Sequence, residues 1–250
     1  MKTIFRTGFG FAAIALLVAA SSLALSGSAS AQTLLHEYTF NTDASDSVGN
    51  ANGTLFGGAT VSGGTLNLNG VNGYVQFASH IIPTTGSYSV GISARETAAA
   101  QGAFVELISQ GFSSGPGFYI GYDLNHVIRA SDSWGNTNTP FPSDGLWHDY
   151  LVTVDAAHSN SLLYIDGTLR ATLNSAITTT AGGDDTRLGR QFNPYAEYFN
   201  GSLDNVRIYS GVVTPAPVPE ASTTVSLGLL LVLGLGSLAV KKRRKSSQLL

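Results

Sequence analysis

The chain has 250 residues, with 13 basic and 16 acidic side chains for a formal net charge of −3, no cysteine, and 12% charged residues, about half the usual share of roughly 25%. The charges are segregated: residues 32–213 hold six arginines, no lysine and 15 acids, a net −9. This excludes the basic face that nucleic-acid binding requires, and it leaves an uncrosslinked domain that must be held by core burial, with or without the help of a metal.

Residues 1–31 read as a signal peptide, with Lys2 and Arg6 at the start, an apolar stretch from Phe9 to Leu25, and Ala29-Ser30-Ala31 as the small-residue site for signal peptidase before Gln32. Residues 32–213 suit one domain with a single core. No helical periodicity is sustained there, and short β-rich runs recur between Gly, Asn, Asp and Ser clusters. The expected strands are Leu34–Phe40, Thr65–Leu68, Tyr74–Phe77, Tyr88–Ala94, Phe104–Gln110, Phe118–Tyr122, Val127–Ser131, His148–Asp155, Ser161–Ile165, Thr168–Leu173 and Ser202–Tyr209. Tyr88, Val90, Ile92 and Ala94 alternate toward the core, as do Tyr150, Val152 and Val154. Asp166-Gly167 between two β-runs predicts a hairpin with a type I′ turn. Many short strands without helices imply an all-β, two-sheet sandwich. Residues 214–222 form a Pro-rich linker ending in Pro219 and Glu220, and residues 223–250 carry an apolar run, Thr223 to Val240, followed by Lys241 to Lys245. As a helix that run would span about 27 Å, enough for a bilayer core, with the basic cluster on the cytoplasmic side.

Several blocks carry a family resemblance in order. They are Tyr38-Thr39-Phe40 with Asp46-Ser47, Leu66-Asn67-Leu68-Asn69-Gly70 leading to Tyr74-Val75, Trp147-His148, Leu163-Tyr164-Ile165-Asp166-Gly167, and Phe199 to Tyr209. Together they resemble a laminin-G-like domain of the concanavalin A-like lectin/glucanase superfamily. The resemblance implies an antiparallel jelly-roll β-sandwich whose first and last strands lie together. It also implies a structural calcium ion, with Asp46 and Asp204 as carboxylate ligands and Asn50, Asn52 or nearby carbonyls completing an oxygen shell. The competing reading is that Asp46 caps a turn and Asp204 makes hydrogen bonds beside Arg207.

The tail resembles a second family. Pro219-Glu220-Ala221, a short apolar helix and a terminal Arg/Lys cluster are similar to a PEP-CTERM sorting signal, although a plain single-pass anchor satisfies the same physics. The resemblance implies a Gram-negative bacterium and a temporary inner-membrane handle. An exosortase would cut it near Pro219 and Glu220 and release the protein to the cell surface or the exopolysaccharide matrix.

Catalysis is not expected. The glucanases of the superfamily place alternate carboxylates on one strand, whereas Glu37, Glu96, Glu106 and Glu197 have no carboxylate two residues away. Glu106, in an apolar strand, is expected to face solvent. Asp184-Asp185 after two glycines reads as a solvated turn, with a second metal site as the minor alternative. The five histidines lack metal-ligand spacing, and His148 is expected to be a packed, hydrogen-bonded ring. For sugar recognition, Trp134 in the polar loop Ser131 to Asn138, with Asn136, and then Tyr195 are the candidates; the alternative for Trp134 is that it folds back over a sheet edge, and Trp147 is expected in the core. The function that follows is an exported, non-enzymatic module binding polysaccharide or matrix, with a structural protein-binding role as the alternative and a hydrolase as a third.

Overall fold

Asp166 and Gly167 both take positive φ, 51° and 72°, so the expected type I′ turn closes the hairpin between Asn160–Ile165 and Thr168–Leu173. Those strands are two of fourteen among the described residues of this computed structural model, namely 32–97, 104–111, 116–179, 184–192 and 195–215. Residues 1–31, where a signal peptide is expected, Pro219 and Glu220, and the apolar run at 223–240 lie outside the described residues.

In chain order the strands are β1 Thr33–Tyr38, β2 Thr54–Phe56, β3 Thr60–Ser62, β4 Thr65–Asn69, β5 Tyr74–Gln76, β6 Tyr88–Glu96, β7 Phe104–Gly111, β8 Phe118–Asp123, β9 Ile128–Ser131, β10 His148–Asp155, β11 Asn160–Ile165, β12 Thr168–Leu173, β13 Asp184–Leu188 and β14 Asn200–Ser210. An eight-stranded sheet runs β12-β11-β10-β6-β14-β4-β3, with β1 also paired to β14. A six-stranded sheet runs β2-β5-β13-β7-β8-β9. All strand pairs are antiparallel, and β1 lies on β14 with Glu37 opposite Arg207 and Tyr38 opposite Val206. The first and last strands therefore meet, as the resemblance implied.

The core lies between the sheets. Tyr88, Val90, Ile92 and Ala94 of β6 and Tyr150, Val152 and Val154 of β10 are buried in it, as the two-residue alternation requires. The opposite, outer faces have different fates. The outer face of the large sheet is open over β11, β10, β6 and β14, while part of the outer face of the small sheet is covered by the segment after β13.

Three strands were not legible in the sequence, and one of them corrects the turn expected at Asp184-Asp185. Those residues begin β13, which sits inside its sheet between β5 and β7. Asp-Asp-Thr-Arg-Leu has poor strand propensity, but two flanking strands supply its hydrogen-bond partners, and such tertiary pairing overrides local preference.

Candidate functional site

The open face of the large sheet carries a groove of about 500 Å³. Its floor follows one cross-strand row. Tyr164 on β11 faces Leu151 on β10, Leu151 faces Gly91 on β6, and Gly91 faces Arg207 on β14. Gly91 supplies no side chain at the centre, and a Cβ built there would approach nothing closer than 3.9 Å. The hollow is therefore the space left by a missing side chain, flanked by Tyr164 on one side and by Arg207 and Tyr209 on the other.

The polar groups are held in place. Arg207 donates from Nε to Glu37 Oε1 at 2.8 Å and from Nη2 to Asn205 Oδ1 at 3.2 Å. Ser93 donates to Asp149 Oδ1, and the backbone N–H of Asp149 donates to Asp166. Asn205 takes positive φ, 49°, where the β6–β14 register shifts between Asp204 and Arg207, and this irregularity turns Asn205 into the groove lining. Side chains already positioned by neighbours lose little entropy when a ligand binds.

Trp147 extends the same face, and here the structure corrects two expectations. Trp147, expected in the core, is 39% exposed, with the Arg95 guanidinium 5.1 Å from its ring centroid. Arg95 follows Gly91 and Ser93 at two-residue intervals along β6. Trp134, the expected sugar platform, is only 6% exposed and belongs to the core cluster. Its loop folds back on β9, with Trp134 N–H donating to Ser131 O and Ala130 N–H to Trp134 O, so the ring fills the edge of the core. Asn136 caps its own turn by accepting from Asn138 N–H. Trp134 is therefore withdrawn from the surface, whereas Asn136 is exposed. Tyr195 is 45% exposed, but it lies over the other sheet.

There the structure overturns the expectation for Glu106. Its side chain is fully buried rather than solvent-facing, because the chain after β13 crosses over it: Glu106 N–H donates to Glu197 O, and Glu106 bridges Tyr198. Arg129 Nη1 donates to Glu106 Oε1 at 3.0 Å, Arg129 Nη2 donates to the Tyr119 hydroxyl at 2.9 Å, and that hydroxyl donates to Asp132 Oδ1 at 3.1 Å. The guanidinium carbon lies 4.3 Å from the Phe104 ring centroid and 4.5 Å from that of Tyr119. Burial pushes Glu106 well above the ordinary carboxyl range, beyond what Arg129 offsets, and the neighbouring Glu197 carboxyl pushes it further. Glu197 is itself raised by burial. This pair, 91 residues apart in sequence, could not be found from spacing along one strand.

The family model Laminin_G_3, described as the Concanavalin A-like lectin/glucanases superfamily, matches residues 69–218, more than half of the chain. The chain belongs to this superfamily. The chain is 23% identical over 213 residues to an alpha-L-arabinofuranosidase of Bifidobacterium longum, covering 73% of this chain but only 20% of that enzyme. It thus spans a fifth of that curated relative. Domain 4 of AbnA, a GH43 extracellular arabinanase from Geobacillus stearothermophilus solved in complex with arabinotriose, superposes with a TM-score of 0.60 at 22% identity, covering 74% of this chain and 95% of that one. Trypanosoma rangeli sialidase superposes with a TM-score of 0.55 at 13% identity over 73% of this chain and 31% of that one. At these identities the structural likeness shows the fold.

In this superfamily member, the side chains that the resemblance implies as calcium ligands are engaged by hydrogen bonds within the protein. Asp46 is buried and already accepts five hydrogen bonds, from His36 Nδ1 at 2.6 Å and from the backbone N–H groups of Glu37, Val48, Gly49 and Ala51. Asn52 Oδ1 accepts from Asp46 N–H, Asn50 is exposed, and both oxygens of Asp204 accept from Asn205. N–H donors surround the Asp46 carboxylate.

The Asp46 knot also sets an acid limit on stability. Burial opposes ionisation, but the hydrogen bonds from His36, Gly49, Glu37 and Val48 outweigh it and bring Asp46 down to about 2. A depressed carboxyl stabilises the fold above its unfolded value, and the contribution fades as pH falls through the folded one. Asp46→Ala is expected to cost about 2–3 kcal/mol at neutral pH, with the difference from wild type closing toward pH 2 in denaturant titrations. Equal stabilities at pH 7 would disprove this role. His148 is held between Asp166 and Asp144, the hydrogen-bonded ring expected, and ties the Asp166-Gly167 turn to the start of β10.

Proposed function

We propose that this domain is a glycan-binding module that lays an extended saccharide along the outer face of the large sheet, from the Tyr164–Gly91–Arg207 groove toward Trp147. The observation that carries the reading is the open row across four strands, floored by Gly91 and bordered by Tyr164 and Tyr209, with Ser93, Asp149, Asn205 and Arg207 at hydrogen-bonding positions. Aromatic edges and fixed polar groups suit a sugar, which offers apolar ring faces and a rim of hydroxyls. The arabinotriose held by the similar arabinanase domain supports a saccharide ligand for this fold.

Binding without hydrolysis is the better reading of the groove. Glycoside cleavage needs two carboxyls roughly 5–9.5 Å apart across the scissile bond, and Asp149 is the one carboxylate among the described groove-lining residues. The test is a glycan-array screen of the purified protein that includes arabino-oligosaccharides, followed by product analysis. Retention of a polysaccharide with no new reducing ends supports the proposal; turnover makes the protein a hydrolase, and no retention favours a protein-binding surface role.

Export belongs to the same reading, resting on the charged and apolar N-terminus and on the Pro219-Glu220 motif before the apolar tail. Signal peptidase and an exosortase would leave a net −9 domain without lysine at the cell surface or in the matrix. The intact mass of the extracellular protein checks this, and a product beginning at Met1 or ending at Leu250 would rule it out.

A further inference from the structure

A second pocket, of about 250 Å³, lies on the outer face of the small sheet and is lined by Phe104, Arg129, Asp132, Gln191, Phe192, Tyr195 and Glu197. It shares no residue with the groove on the large sheet. Its walls are aromatic, its base is the Glu106–Arg129–Tyr119–Asp132 network, buried at Glu106 and exposed at Asp132, and its polar atoms are unbalanced. Arg129 directs Nη1 to Glu106 and Nη2 to Tyr119. Asp132 accepts from Gly117 N–H and from the Tyr119 hydroxyl. Gln191 lines the pocket and is 4% exposed, and its Oε1 has no hydrogen-bond partner; Glu197 Oε2 is buried too, beside the Glu106 carboxyl with which Glu197 shares a hydrogen bond. A buried acceptor left unmatched is costly, so the pocket is built to receive a donor.

Charge narrows the donor. Glu197 and the exposed Asp132 bring carboxyls to the pocket beside one guanidinium, that of Arg129, which already pairs with Glu106. Phe192 and the exposed ring of Tyr195 offer aromatic surface, which attracts cations through its quadrupole. A compact ring bearing a cationic donor satisfies the walls and the acceptors together. We propose that this pocket binds the protonated amine of an amino sugar, with the ammonium group donating to Glu197 Oε2 and Gln191 Oε1 and the sugar ring packed against Tyr195 and Phe192.

The ligand titrates the site. Glu197 is faced by Glu106 from β7, by Arg129 from β9, and by Gln191 and Asp132 within the same pocket. Burial raises its carboxyl, against the smaller lowering effects of Arg129 and Glu106. The ammonium ion requires the ionised form, so affinity should fall as pH drops through that raised value.

The experiment titrates the purified protein by NMR or calorimetry with D-glucosamine, D-glucose, N-acetyl-D-glucosamine and Nα-acetyl-lysine methylamide. D-Glucosamine is expected to bind at least about tenfold more tightly than D-glucose or the N-acetylated sugar, which lack the charged donor. Glu197→Gln should remove that preference, while Gly91→Leu, which fills the other site, should leave it intact. Equal binding of glucose and glucosamine, a preference that survives Glu197→Gln, or no binding of glucosamine would each overturn the proposal. Tighter binding of the lysine derivative would replace the amino sugar with a peptide ligand. The groove reading can fail without affecting any of these outcomes.

Discussion

Arg129→Met is expected to lower the stability of the domain by about 3–5 kcal/mol at pH values where Glu106 is ionised, the usual result of removing one partner from a buried ion pair. Glu106 is fully buried and has the Arg129 guanidinium as its counter-charge. The methionine retains much of the apolar contact with Phe104 and Tyr119, so the loss reports the charge rather than a cavity. For a domain of this size the melting temperature should fall by roughly 10 °C. The pH dependence has a definite sign. A carboxyl whose folded pKa is raised binds its proton more tightly in the native state than in the unfolded one. Stability therefore declines as pH rises from the ordinary carboxyl range through the raised folded value. Without Arg129 the folded value rises further, so the defect should be greatest at alkaline pH and shrink on acidification. Glu106→Gln in the Arg129→Met background should recover part of the loss, because it removes the stranded charge. Thermal melts of the three variants across pH test this, and a pH-independent defect with no recovery would show that the pair does not carry the effect.

Gly91→Leu is expected to separate folding from binding. Gly91 sits mid-strand in β6, and the nearest atoms to a built Cβ are Arg207 O and Leu151 Cδ1, both at 3.9 Å. A Cβ can therefore be added without displacing a neighbour, and the groove above it has room for the rest of the side chain. Glycine in a strand interior costs roughly 0.5–1 kcal/mol relative to alanine, so the variant should be as stable as the wild type or slightly more so. The same leucine occupies the floor between Tyr164 and Arg207, where the saccharide would lie, and glycan affinity should drop by at least about tenfold. Trp147→Ala should weaken binding of longer chains more than short ones, because Trp147 stands at the end of the same face. A Gly91→Leu protein that still retains its glycan would place the binding surface elsewhere.

How much of this was legible in the sequence depended on how local the deciding interaction was. The alternation of Tyr88 to Ala94 and of Tyr150 to Val154 located two central strands, because a strand's faces repeat every two residues whatever the rest of the chain does. Asp166-Gly167 predicted its own turn, because its positive φ values are a property of those two residues. The pairing of β1 with β14 came from family resemblance and is seen in the structure. β13 escaped notice because its strand conformation is imposed by β5 and β7 rather than by its own residues.

The site residues divided along the same line. Composition and alternation showed an acidic, lysine-free, all-β domain and showed which residues share a face. They could not show which face a distant segment covers. Trp134 and Trp147 both lie beside polar residues in the sequence, yet the fold-back of residues 131–139 buries one ring and the Arg95 row leaves the other exposed. Glu106 alternates like a solvent-facing residue and does point away from the inter-sheet core. Only the segment that brings Glu197 over it, 91 residues later, seals that face. The sequence by itself determined strand period, turn chemistry and charge, because each is settled within a few residues. The tertiary structure decided burial, carboxyl pairing and the groove at Gly91, because each depends on which remote chain lies opposite.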